Sequence, residues 1–131
     1  MTIALPGRQS ITIDTARRLV DVTIVGVLNG DQSLAAMMEL RGAVQSLGPM
    51  VGSHVTLYDL TQSGPVPQAA VEMIRGGFAN PVYRKLWARR VAFAATSPLL
   101  RRQIERVREA RPDIAIFETR EAALGWLLAG D

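Results

Sequence analysis

The sequence predicts an α/β domain with the element order β-β-α-β-α-β-α-β-α, and three observations carry that expectation. Two alternating apolar–polar runs joined by a short polar turn open the chain, which is the pattern of a β-hairpin. Beyond Asn29 the apolar residues switch between helical spacing and short apolar blocks, as strands and crossover helices do in a largely parallel sheet. The 131 residues contain no linker, internal repeat or low-complexity stretch, so they fit one domain with one core. The polar side of the opening strands places the helices mainly on one face of the sheet.

Ser10–Asp14 (SITID) alternates and reads as the first strand. Thr15–Arg18 turns, and Leu19–Leu28 (LVDVTIVGVL) alternates again, with Asp21 and Thr23 opposite Val20, Val22 and Ile24. Gly26 inside that strand marks a bulge or a close backbone approach. Asn29 or Asp31 can cap the first helix. Its apolar residues Leu34, Met37, Leu40, Val44 and Leu47 recur at three and four, with Met37 and Met38 read as core, and Gly48-Pro49 ends it.

Val55–Leu60 is the next strand, followed by a helix from about Pro67, a favourable first-turn residue because its missing N–H needs no partner there. Ala70, Val71, Ile74 and Phe78 form its inward stripe, and Gly76-Gly77 is expected to end it. Asn80–Lys85 is a loop or a single turn. Arg90–Thr96 is a short apolar strand. Ser97-Pro98 then caps and starts a helix with Leu100, Ile104 and Val107 on one side, stopped by Arg111-Pro112-Asp113. Ile114–Glu118 is the last strand. Thr119 caps a final helix that turns Leu124, Leu127 and Leu128 inward, and Gly130 closes it.

Composition excludes several classes. There is no cysteine, hence no disulfide, thiol chemistry or cysteine-bound metal. No apolar run approaches the ~18 residues of a membrane span. The opening MTIALPGRQSIT has no basic stretch followed by a long apolar block, so no secretory leader is expected and the location is read as cytoplasmic. The formal charge is +3, yet the pI is about 10.2, because fourteen of the fifteen basic residues are arginine. Nine basic residues fall between Arg84 and Arg111 against Glu105 and Glu109, which reads as a solvated basic face. Few aromatics interleave with them, so nucleic-acid binding is not expected.

The single histidine, His54, begins a strand without carboxylates at ligand spacing, so it is read as structural and no metal site is expected. Neither a nucleophile elbow nor a glycine-rich phosphate loop is present, and no cofactor is expected. Asp59 ends a strand, where an α/β domain places functional groups and where turns also begin. Thr96 and Ser97 open a helix one turn before Arg101 and Arg102. Helix N-terminal amides with arginine make a candidate anion site.

The layout, with VTLYDLTQSGPVPQAAVEMI after the third strand and a closing RVAFAAT…DIAIFETREAALGWL, resembles the STAS superfamily (sulphate transporter and anti-sigma factor antagonist domains). More narrowly it is similar to the small stand-alone SpoIIAA-like proteins. The resemblance implies a mixed sheet of four or five strands with helices on one side. It also implies a serine at the start of the second helix that a partner kinase phosphorylates. Asp59-Leu60-Thr61 matches the strand-end motif, but Pro67-Gln68-Ala69-Ala70 occupies the acceptor position and offers no hydroxyl. The neighbouring hydroxyls of Thr61 and Ser63 are read as satisfying loop backbone.

The function expected is a non-enzymatic regulatory domain without the phosphoserine switch. It would dock a protein partner of anti-sigma or kinase-like kind through Asp59, Thr61, Gln62, Ser63, Gly64 and Gln68. The other reading is a binder of a small ligand, an anion or lipid-like acid, held between helices. A homodimer could form through a hairpin strand or a helix face.

Overall fold

The computed structural model describes residues 7–129. Gly130 and the first six residues, to which the closing glycine and part of the leader expectation belong, lie outside that range. Five strands lie side by side in chain order: β1 (Arg8–Asp14), β2 (Leu19–Gly26), β3 (Val55–Ser63), β4 (Arg90–Ala94) and β5 (Ala115–Phe117). The hairpin pair β1–β2 is antiparallel, and β2 to β5 are parallel, so the sheet is mixed. The helices are α1 (Gly30–Gln45), α2 (Gln68–Ala79), α3 (Pro98–Arg108) and α4 (Arg120–Leu127).

Crossovers between neighbouring parallel strands that all step the same way put their helices on one face. The cores agree. On β4, Val91 and Phe93 pack with Val71 of α2 and with Ile104 and Val107 of α3. The alternate residues Ala92 and Ala94 face the other way, with Leu57, and pack against Ala123 and Leu127 of α4. So three helices cover one face and α4 alone lies on the other, where small side chains on β4 let it approach closely.

Local chemistry explains the helix ends. Asn29 forms a full capping box with Gln32: its side chain accepts from the Gln32 N–H at 2.8 Å, and Gln32 accepts from the Asn29 N–H at 2.9 Å. The helix therefore starts at Gly30, and its inward stripe is Ser33, Met37, Leu40 and Val44. Leu34 and Met38, read above as inward, are exposed because each sits about 100° round the helix from that stripe. The Gly76-Gly77 pair does not end α2. The helix runs on to Ala79 because Phe78 packs against the core and against Trp87, with ring centroids 6.4 Å apart. That packing outweighs the ~1 kcal/mol per glycine of lost propensity. Leu128 is also exposed, and Ala123 takes its expected place in the core.

Between β2 and β3 the register shifts: Thr23 faces Asp59, but Val25 faces Gln62, so β3 carries one extra residue. This is a bulge at the end of β3, just where the chain turns toward α2. Gly26 sits beside it with φ +79, a conformation that glycine takes without strain.

Candidate functional site

The bulged end of β3 brings most of the expected docking residues onto one ridge. Asp59 is buried, and its Oδ1 accepts from the Thr61 N–H at 3.0 Å and from the Thr61 hydroxyl at 2.6 Å. Ser63 is buried too, and its hydroxyl donates to the Gly64 carbonyl at 3.0 Å. Gln62 and Gln68 are exposed, and Thr61 and Gly64 are half-buried. Pro67 and Ala69 are exposed at the start of α2, where no side chain caps the helix. The loop between them is tied from α3: Gln103 donates to the Val66 carbonyl at 2.7 Å and accepts from the Val66 N–H at 3.0 Å. One amide side chain thus pairs with a single residue's backbone as a neighbouring strand would.

Asp59 belongs to a second arrangement on the opposite face of the sheet. Arg120, in the first turn of α4, donates to Asp21 through both Nη atoms and to Asp59 Oδ2 at 3.3 Å. Hydrogen bonding to Asp21, then the attraction of both carboxylates, raises the guanidinium pKa beyond its already high value. Two carboxylates side by side on adjacent strands share one cation, which makes the cluster a brace between α4 and the sheet.

The candidate anion residues lie at the N-terminus of α3. Ser97 caps it by accepting from the Leu100 N–H at 3.2 Å. Arg101 donates to Glu118 at 3.2 Å, while Thr96 and Arg102 are exposed. The basic stretch is not one solvated face. Arg106 pairs with Glu72 and Glu109, Arg108 pairs with Glu105, Arg90 lies 5.3 Å over the Trp126 ring, and Arg111 is only 3% exposed. The contiguous sequence winds through a loop, a strand and a helix, so its charges point in different directions.

A cavity of about 220 Å³ lies between the sheet and α1, α2 and α3, and sequence reasoning, which offered a ligand between helices as its other reading, assigned none of the residues at its inner end to such a site. Tyr58 and Phe93, stacked with centroids 4.5 Å apart, form part of its floor on the sheet. Met37, Leu40, Ile74 and Phe78 line its helix side. It begins beneath Ser63 and Val66, beyond the bulge of β3, and runs to His54, Trp87 and Arg111 at the start of the strands. Each of those three residues comes shortly before a parallel strand, so the topology gathers them at one sheet edge. That shared position is the sequence signal that could have found them.

His54 is 1% exposed. Its Nδ1 accepts from the Gly52 N–H at 3.2 Å, so the hydrogen-bond network puts the proton of the neutral ring on Nε2. Burial pushes its pKa below the ordinary value, and the nearby Arg111 charge acts in the same direction. The folded state therefore disfavours a proton that the unfolded chain accepts. Stability from a neutral His54 is complete above about pH 6.5 and falls as the pH drops toward the depressed folded-state pKa. Urea midpoints measured between about pH 5 and 7.5 should show that loss, and His54→Gln should flatten this part of the profile.

No protein-family model and no curated protein sequence matches the chain. Solved structures do. An uncharacterized protein of the DUF3478 family with a SpoIIAA-like fold, from Shewanella loihica, superposes with a TM-score of 0.66 at 22% identity, over 97% of this chain and 98% of that one. An anti-sigma factor antagonist from Mycobacterium paratuberculosis superposes with a TM-score of 0.63 at 14% identity, over 92% and 93%. The chain has the SpoIIAA-like fold along nearly its whole length. Among the described residues no helix is long and apolar enough to cross a membrane.

Proposed function

We propose that the chain is a non-enzymatic regulatory interaction domain that works in the cytoplasm. It docks a protein partner of anti-sigma or kinase-like kind through Thr61, Gln62, Gly64 and Gln68, with Asp59 and Ser63 shaping that surface from beneath. The observation that supports this most is the ridge itself. The bulge at the end of β3 and the uncapped start of α2 present polar side chains together, and Asp59 and Gln103 hold the loop between them. The likeness in fold to an anti-sigma factor antagonist supports the same reading. Docking is not switched by phosphoserine, because Pro67-Gln68-Ala69-Ala70 carries no acceptor hydroxyl.

Site-specific photocrosslinking in the native host tests the proposal. A crosslinking residue at Gln62 or Gln68 should trap one discrete partner, and the same group at Glu121, exposed on α4 at the opposite face, should not. Equal trapping from both faces, or none from the ridge, would sink it.

The cavity favours a second reading, a small-ligand binder. Ser63 and Val66 belong both to the ridge and to the cavity wall, so an occupant beneath them would be felt at the docking surface.

A further inference from the structure

His54, Trp87 and Arg111 sit together at the closed, strand-start end of the cavity. The Arg111 guanidinium carbon lies 4.4 Å from the centre of the Trp87 ring, and its Nη2 donates to the Ala88 carbonyl at 2.7 Å. The His54 carbonyl accepts from the Arg89 N–H at 2.7 Å, which ties the start of β3 to the same place. Each residue keeps one buried nitrogen with no protein partner: His54 Nε2, Trp87 Nε1 and Arg111 Nη1. Trp87 Nε1 and the cationic Arg111 Nη1 are donors, and His54 Nε2 is a donor in the tautomer whose Nδ1 accepts from Gly52.

A buried unpaired donor is costly, more so when charged, and three in one neighbourhood call for a common acceptor. Asp113 does not supply it. Its carboxylate binds the Arg111 Nε at 2.9 Å from the outside and is mostly in water. The rest of the lining is mostly aliphatic and aromatic, with Gln9, Ser33, Arg41 and Thr56 among the polar exceptions, so the acceptor that fits best belongs to a molecule whose other end is apolar.

We propose that the cavity takes an apolar-tailed carboxylic acid. Its carboxylate is held by the N–H groups of His54, Trp87 and Arg111, and its tail lies between α1, α2 and the Tyr58–Phe93 floor toward Val66. The inference rests on the reading of the cavity as a ligand site and adds the chemical class of the ligand. A carboxylate suits the site because its two oxygens can accept from several donors at once and meet the guanidinium charge. The size suits a medium-chain tail. An apolar cavity of ~150 Å³ takes a benzene-sized guest, so 220 Å³ corresponds by that scale to roughly nine carbons. The three nitrogens are closed off from water, so the surrounding side chains must shift slightly to admit the carboxylate.

Calorimetric titration of the purified, delipidated protein with decanoate and with decanol tests this, with native mass spectrometry for stoichiometry. Decanoate should bind one per chain and decanol about tenfold more weakly or worse, the effect of losing charge-assisted hydrogen bonds. Trp87→Phe keeps the ring and removes one donor. It should weaken decanoate about tenfold and leave decanol nearly unchanged. His54→Leu removes a second donor at similar volume and should act the same way. Equal binding of decanoate and decanol, or decanoate binding indifferent to both substitutions, overturns the carboxylate assignment and leaves the cavity as a ligand site. No binding of either probe overturns both. Neither result bears on the docking ridge, which the crosslinking experiment tests separately.

Discussion

Replacing Leu127 by alanine is expected to cost about 3 kcal/mol and to lower the melting temperature by on the order of 10 °C. Leu127 is fully buried between α4 and the sheet, packed with Leu19, Leu57, Ala92 and Ala94. Among the described residues no other helix covers that face, so truncation there leaves a void that neighbouring helices cannot fill, and the cost falls within the usual range of about 2–5 kcal/mol. Leu128, the adjacent leucine, is 38% exposed and serves as the control. Leu128→Ala should change stability by no more than about 0.5 kcal/mol. Urea unfolding of the two variants separates them, and equal costs would mean that α4 does not pack as described.

Arg120→Ala is expected to destabilise the fold by roughly 2–3 kcal/mol, between the small value of an exposed ion pair and the 3–5 kcal/mol of a fully buried one. The intermediate figure follows from burial: the Asp59 and Asp21 side chains are 9% and 17% exposed, and Arg120 is 33% exposed. Removing the cation leaves two neighbouring carboxylates without compensation. Part of the loss should therefore return in the double variant Arg120→Ala with Asp59→Asn, and a double-mutant cycle measures how much. Because the Arg120 pKa is raised, the guanidinium stays charged throughout the neutral range and its contribution does not fade there. A cost below about 0.5 kcal/mol, with no recovery in the double variant, would falsify the brace.

The fold was largely legible because its signals are local. The period of two in β1 and β2, the Asn29 cap, the Ser97-Pro98 start and the alternation of strands and helices each belong to a short window of sequence. The errors came where tertiary packing decides. Gly76-Gly77 looked like a helix end, and only the burial of Phe78 carries α2 past it. Leu34 and Met38 have the composition of core residues, but the face carrying Ser33, Met37, Leu40 and Val44 packs inward and leaves them outside.

The site was legible only in part. The segment proposed for docking, Asp59 through Gln68, is continuous in sequence and could be singled out from one stretch. His54, Trp87 and Arg111 are far apart in the chain and meet only because parallel strands begin at a common edge. His54 looked inert and Arg111 looked solvated, since nothing adjacent in sequence to either residue indicates burial.

The order of the sheet has a bearing on how the chain assembles. Strand order equals chain order, so each new strand pairs with the one made just before it, and no strand waits for a partner still to be synthesised. The hairpin closes through a short turn, and each later pairing spans only one crossover, which keeps contacts more local than a shuffled strand order would. The exception is α4: Arg120 reaches back 99 residues to Asp21. Until that helix arrives, Leu19 and Leu57 on the far face remain wet, and the chain is a half-covered sheet whose last element serves as its seal.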